Sequence, residues 1–358
     1  MKRIVIKIGS NVLTRDDGRL DVRRMAALVD QVAWLRSQHY EVLLVSSGSI
    51  ASGRGEVRAS RKLDSVEQRQ LFSAIGQVKL ISLYYSLFRE YGLHIGQVLT
   101  MKENFSSRRE YLNQRSCMGV MLDNGIIPVI NENDTVSVTE LMFTDNDELS
   151  GLIATMMGAQ QLIILSNIDG IYDGSPADPG SHVIARVEPG RDLSEYIQHE
   201  KSGFGRGGMI TKCGIARKVA EEGIEVIIAN GKRDDILRDL ILHPSATPHT
   251  TFVPSSQAAS GVKKWIAHSE SFAKGVVRVN ARAAEALTGD DAVSLLMVGV
   301  TAVEGDFEEG DIINIVAPDG RRIGVGRSAY GSAEATALIG RHDVRPIVHY
   351  DYLCTEGS

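Results

Sequence analysis

Lys7 closes an apolar run, Ile4–Ile8, and the chain turns at once through Gly9-Ser10-Asn11. Glycine lets a ligand approach the backbone, small polar residues leave N–H groups free, and the lysine supplies a cation. That set suits a phosphate, and it equally suits an ordinary strand–turn. Ser46-Ser47-Gly48-Ser49 ends a second apolar run, Val42–Val45, with the same two readings. Farther on, Asn131-Glu132-Asn133-Asp134 follows the run Ile126–Ile130, and Thr144-Asp145-Asn146-Asp147-Glu148 precedes an apolar helical pattern. Thr144 or Asp145 could cap that helix, and acidic residues favour a first turn. Carboxylates and amides are nevertheless denser here than capping alone requires. They could orient the lysines, hold a substrate ammonium, or bind a hard cation such as Mg²⁺, since no histidine joins them.

Two nucleotide patterns can be tested. The P-loop pattern G-x-x-x-x-G-K-[ST] is absent. Gly203-Phe204-Gly205-Arg206-Gly207-Gly208 matches G-x-G-x-x-G but follows no clear strand, so a dinucleotide fold is not indicated. It reads better as a Gly-rich loop opening a helix, Met209–Glu222, whose N–H groups and dipole would face an anion. Lys212, about one turn in, could reach the same anion.

Such residues need a frame. Runs rich in Ile, Val and Leu, namely Ile4–Ile8, Val42–Val45, Ile95–Leu99, Ile126–Ile130, Leu162–Leu165 and Glu225–Ala229, read as strands, and several show almost no polar alternation, as expected for strands covered on both faces. Helical patterns lie between them: Val66–Tyr91, with Leu71, Ile75, Val78, Ile81, Tyr85 and Phe88 spaced by three and four, then Arg109–Asn124 and Met209–Glu222. The alternation predicts an α/β domain with a mainly parallel sheet between helices, over residues 1–255. Ligands of such sheets bind beyond the carboxyl ends of the strands, where Lys7 and Ser47 stand. From His243 to Gly261, prolines and Ser/Thr residues read as a strand end and a linker. Residues 270–358 then read as a small β-rich domain with Gly-rich turns.

Composition excludes several functions. The chain has 358 residues, 43% of them hydrophobic and 23% charged, as in an ordinary globular protein. Its net charge is −6, and the ten basic against fourteen acidic residues from Val262 onward give that zone −4. That balance disfavours strong RNA or anionic-membrane binding. Cys117, Cys213 and Cys354 stand far apart with no C-x-x-C, which predicts neither a disulfide framework nor a zinc site and fits a reducing cytosol. No export signal and no membrane span are read, so a cytoplasmic location is expected.

Val5-Ile6-Lys7-Ile8-Gly9-Ser10, Val45-Ser46-Ser47-Gly48-Ser49-Ile50-Ala51, Pro128-Val129-Ile130-Asn131-Glu132-Asn133-Asp134, Asp145-Asn146-Asp147 and Gly207-Gly208-Met209-Ile210-Thr211-Lys212 occur in that order. Together they resemble the amino-acid kinase family, and within it the members that phosphorylate glutamate. Gly275-Val276-Val277-Arg278-Val279, Ser294-Leu295-Leu296 and Val300-Thr301-Ala302-Val303-Glu304-Gly305-Asp306-Phe307 resemble a PUA domain. The resemblance implies an αβα sandwich followed by a PUA barrel. It implies transfer of a phosphoryl group from ATP, with Mg²⁺ carried by the nucleotide and no metal held by the protein, to the side-chain carboxylate of L-glutamate, at the entry to proline synthesis. By the same resemblance Lys7 and Lys212 would lie on the phosphates, with Asp147 organising them. Ser47, Asp134 and Asn146 would bind glutamate, Asp134 at the α-ammonium. Lys7, Ser166, Asn167, Arg206, Gly207, Gly208, Met209, Ile210, Thr211 and Lys212 would line the nucleotide site. The family commonly has Asp at position 167 and a small or hydroxyl residue at 206, and this chain's tail after Gly340 is short. A homo-oligomer, with proline as a candidate feedback inhibitor, is expected. Two alternatives stand beside this reading: a relative acting on acetylglutamate, aspartate, carbamate or UMP, and an RNA-binding regulator using the PUA domain.

Overall fold

The computed structural model describes the chain apart from residues 106–107, 137–145, 177, 192, 194–208, 257–272, 290–292 and 356–358. It divides into two units, one formed by Met1–Met101 with Ser116–Ala258, the other by Lys102–Arg115 with Ala259–Ser358. The grouping of Lys102–Arg115 with the C-terminal segment has no counterpart in the sequence reading.

The first unit is built on an eight-stranded sheet. Its strands are β1 (Arg3–Ile8), β2 (Glu41–Ser46), β3 (Ile95–Thr100), β4 (Ile127–Glu132), β5 (Gln161–Ser166), β6 (Arg186–Val187), β7 (Glu225–Asn230) and β8 (His249–Phe252), in the spatial order β3-β4-β2-β1-β5-β7-β8-β6. Pairing is parallel except between β7 and β8. The expected mainly parallel α/β architecture is therefore present. The chain runs from β1 to β2, skips to β3 at the edge, returns to β4 between β3 and β2, then crosses to β5 on the other side of β1. That reversal sets a crevice at the carboxyl ends of β1, β2 and β5.

Alternate residues of these strands face opposite layers. Ile4, Ile6 and Ile8 join Val42, Leu44, Ile163 and Leu165 in a core covered by α1 (Ser10–Leu13), α2 (Val22–Ser37) and α4 (Ser65–Arg89), which follows α3 (Ser49–Arg54). Each such side chain, fully buried, contributes about 1.5–3 kcal/mol. After α5 (Arg108–Asp123), α6 (Asn146–Met157) and α7 (Met209–Glu221) cover the opposite face, where Val5, Lys7, Leu43 and Val45 point. Lys7 is thus the polar member of a buried face and is directed at α6. One more helix, α8 (Ile236–Leu242), extends the first layer.

Three readings need correction. The apolar stripe expected on α4 meets its buried side only at Phe88: Val78 is 66% exposed and Tyr85 45%. The buried side is Phe72, Ser73, Gly76, Leu80, Tyr84 and Phe88. Small residues carry the closest approach there, so hydropathy misplaces the face. By length and composition α4 is also apolar enough to cross a bilayer, but its buried stripe lies in the core over the sheet. The segment from His243, read as a strand end and a linker, holds a full strand, because β8 adds to β7 and joins the sheet. Its β-branched Thr250 and Thr251 fit a strand despite the nearby prolines. Finally, β4 continues through Asn131 and Glu132, which lie inside the strand rather than after it.

The second unit contains β9 (Gly275–Val279), α9 (Ala281–Thr288), β10 (Val300–Gly305), β11 (Ile312–Val316), β12 (Arg322–Arg327), α10 (Ser332–Leu338) and β13 (Leu353–Thr355). The strands pair in the order β10-β9-β11-β12-β13 around a core including Val277, Ile313, Ile315, Phe307 and Tyr330.

Candidate active site

The crevice is assembled from strand ends. At the end of β1, Gly9 N–H donates to the Leu165 carbonyl at 3.2 Å, and Ser47 N–H donates to the Ile8 carbonyl at 3.1 Å. These bonds lock the three strand ends together. A Cβ on Gly9 would come within 3.2 Å of the Leu165 oxygen and 3.4 Å of Lys7 Nζ. Gly48 starts α3 at φ 109°, a left-handed conformation that needs glycine.

Asp147, in the first turn of α6, is the central charge. One carboxylate oxygen lies 2.5 Å from Lys7 Nζ and the other 2.9 Å from Lys212 Nζ. Its side chain is 1% exposed, against 7% for Lys7 and 14% for Lys212. Burial alone would push this carboxyl up, but the two ammonium groups outweigh it and hold it below the usual carboxylate range. Asp147 therefore stays ionised at neutral pH. It draws two cations from different elements, β1 and α7, to one point at the end of the sheet.

A second, polar network adjoins the triad. Asn146 Nδ2 donates to Ser47 Oγ at 2.8 Å and to Asn131 Oδ1 at 3.0 Å. Asn131 Nδ2 donates to Gln77 Oε1 at 3.0 Å and to Ser49 Oγ at 3.4 Å. Ser49 Oγ donates to Asp134 Oδ2 at 3.2 Å. Asp134 Oδ1 accepts from Arg69 Nε at 2.8 Å and Nη2 at 2.5 Å, and that Nη2 also donates to Glu132 Oε2 at 2.9 Å. Ser47, Asn146 and Asp134, expected to bind one substrate, are thus joined through Asn131 and Ser49.

On the far side of the crevice, Ser166 ends β5, with Asn167 exposed beside it, and the Gly231 N–H donates to the Ser166 carbonyl at 2.8 Å. Asp169 pairs side-on with Arg233, Nε and Nη2 each at 2.7 Å, and accepts from Asn230 Nδ2 at 3.0 Å. The Arg233 hydrogen bonds hold its carboxyl below the usual range. Met209 begins α7, Ile210 is exposed, and Thr211 and Lys212 are half-buried. Arg206, Gly207, Gly208, Thr144 and Asp145 lie outside the described residues. Among the described residues no group of three or more His, Cys, Asp or Glu is arranged to hold a metal.

The sequence alone assigns no role to Arg69, Gln77, Asp169 or Arg233, and to Asn131 and Glu132 only a shared place in the cluster of carboxylates and amides. Asn131 and Glu132 had a signal, since they sit in the quoted N-E-N-D segment. Arg69 had none, because its partners are 63 and 65 residues away along the chain.

Known proteins bear on this arrangement. Residues 2–230 match the model of the amino acid kinase family, and residues 275–350 match that of the PUA domain. A glutamate 5-kinase of Bacteroides thetaiotaomicron is 62% identical over 354 residues, covering 99% of this chain and 98% of that protein. A glutamate 5-kinase of Chlorobaculum tepidum is 45% identical over 98% of this chain and 97% of its own length. Among solved structures, carbamate kinase from Giardia lamblia bound to AMP-PNP superposes with a TM-score of 0.51 at 15% identity, covering 71% of this chain and 99% of that one. T. acidophilum isopentenyl phosphate kinase also gives 0.51, at 14% identity over 70% of this chain and 100% of that one. At such identities these two show a shared fold.

Proposed function

The chain belongs to the amino acid kinase family, and from that premise we propose that it transfers the γ-phosphoryl group of ATP to the side-chain carboxylate of L-glutamate. The product is γ-glutamyl phosphate, the first step of proline biosynthesis, and the setting is the cytoplasm. The observation that carries this reading is Asp147 held between Lys7 and Lys212, next to the Ser47–Asn146–Asn131–Asp134 network.

Phosphoryl transfer asks a protein for position and charge neutralisation more than for covalent chemistry. A glutamate carboxylate is ionised at neutral pH, so its oxygen attacks phosphorus without a general base. As that bond forms, the bond to the bridging oxygen breaks and its electron pair leaves with ADP. Lys7 and Lys212 offset the negative charge on the transferred group and the leaving oxygen. Asp147 keeps two like charges close enough to act together. Mg²⁺ bound with the nucleotide would neutralise phosphate oxygens, while Lys7 and Lys212 suit the anionic phosphates that carry it. Ser47 and Asn146 orient the acceptor, and Asp134 meets its α-ammonium. Ser166, Asn167 and the start of α7 face the nucleotide.

Release of ADP measured with L-glutamate, N-acetylglutamate, aspartate, carbamate and UMP in turn is the test. Turnover with L-glutamate well above the others is the expected result, and a preference for another acceptor would reject the proposal.

A further inference from the structure

Among the described residues, the Arg69 guanidinium touches the site only through acid groups. Its Nε and Nη2 both donate to Oδ1 of Asp134, at 2.8 and 2.5 Å, and the same Nη2 donates to Glu132 Oε2 at 2.9 Å. All three are well shielded: side-chain exposure is 21% for Arg69, 10% for Asp134 and 5% for Glu132. Two charge-assisted bonds from one guanidinium hold the Oδ1 of a carboxylate in place more firmly than a single bond does. With Oδ1 taken by Arg69, Oδ2 is the oxygen turned toward Ser49 and the Asn131–Asn146 network, where it accepts one bond at 3.2 Å. Glu132, rigid as part of β4, braces the guanidinium from the strand side. Arg69 rides on the first turns of α4, whose start is pinned by the Asp64–Glu67 capping box.

The geometry points to Arg69 as a positioning residue of the glutamate subsite: it holds Asp134, with Glu132 as its brace, so that Oδ2 is presented to the α-ammonium of the substrate. This rests on the reading of Asp134 under the proposed function. It predicts that Arg69 acts on recognition of the ammonium group and not on phosphoryl transfer or nucleotide binding. A role in folding alone would not make that distinction.

The test is steady-state kinetics of the full chain with L-glutamate and ATP, with glutarate, which lacks the ammonium group, as inhibitor. Arg69→Ala should raise the glutamate KM at least about fivefold, a loss smaller than one full charge-assisted bond. The ATP KM, kcat and inhibition by glutarate should each stay within about twofold, and Arg69→Lys, which keeps a cation but not the fork, should recover part of the loss. Glu132→Gln should give a smaller effect of the same kind, and it serves where Arg69→Ala does not fold. An unchanged glutamate KM in the folded variants overturns the inference. So does an equal loss for glutamate and glutarate, or for glutamate and ATP. A wild-type protein that does not phosphorylate glutamate would instead overturn the proposed function, so the two failures are distinct.

Discussion

Asp147 stands at the centre of the proposed chemistry, being buried, ionised and shared by two cations. Removing either cation should cost rate before it costs structure. Lys7→Ala and Lys212→Ala are each expected to lower kcat by roughly 10²-fold or more, since one group that stabilises developing charge is worth about 3–4 kcal/mol. Kinetics of ADP release, with circular dichroism to confirm folding, checks this, and near-native kcat in either variant would remove its assigned role. Asp147 itself also bears on stability. Its folded pKa lies below the ordinary value of about 4, so its ionised form stabilises the fold above that pH, and the contribution is lost as pH falls through the folded value. Asp147→Asn should therefore destabilise by about 3–5 kcal/mol near neutrality, because it leaves two ammonium groups with no buried counter-charge. Denaturant midpoints of the two proteins should converge as pH falls below about 4. A gap that persists unchanged into acid would show that the carboxylate's charge is not what matters.

At the scale of elements, the turn that carries Ser47 and Ser49 depends on a helix crossing with almost no room in it. A Cβ added to Gly76 of α4 would sit 1.7 Å from the Ser49 carbonyl oxygen and 2.4 Å from the Gly53 nitrogen. One on Gly53 would sit 1.9 Å from the Phe72 oxygen. Backbone meets backbone here, so neither helix can yield by turning a side chain. Gly76→Ala should separate α3 from α4 at a cost of about 1–3 kcal/mol and displace the Ser47–Asn146 contact. A lower melting temperature with a raised glutamate KM and an unchanged ATP KM is expected, and an unaffected glutamate KM would detach the crossing from the site. This crossing also marks where sequence reading stops. Strands β1, β2, β4, β5 and β7 were legible almost to their ends, because burial on both faces leaves unbroken apolar runs. The α4 contact face was not, since glycine and serine give hydropathy no signal. β8 was legible only as a strand end, because prolines surround it. The triad was half legible: Lys7 and Lys212 stood out as cations beside Gly-rich turns, but their meeting on Asp147 came from resemblance rather than from residue types. Arg69 was invisible, because a helical arginine reads as a solvated one until the fold brings β4 to it.

For the whole molecule, the residues proposed for the chemistry lie in one unit. Lys7, Ser47, Asp134, Asn146, Asp147, Ser166 and Lys212 all belong to the unit formed by Met1–Met101 and Ser116–Ala258. From Val262 onward the other unit carries −4, and its Lys102–Arg115 segment, with four basic and two acidic residues, brings the unit to −2, which gives it little attraction for a phosphate-bearing substrate or RNA. A protein ending at Ala258 should accordingly phosphorylate glutamate with kcat within a few-fold of the full chain. The fold should suffer more than the chemistry. Lys102–Arg115 is grouped with the C-terminal segment, and it contains Phe105 and Tyr111, which are 1% and 5% exposed. Truncation is expected to uncover these two rings, each burying on the order of 150–250 Å², and so to lower the melting temperature and favour association. Replacing them as Phe105→Ser and Tyr111→Ser in the shortened chain should restore solubility without changing kcat. Light scattering, thermal melts and ADP release on the full, shortened and substituted proteins measure each part. A soluble, monodisperse shortened protein with no activity would show that the C-terminal segment takes part in catalysis, against the division of labour argued from where the charged residues lie.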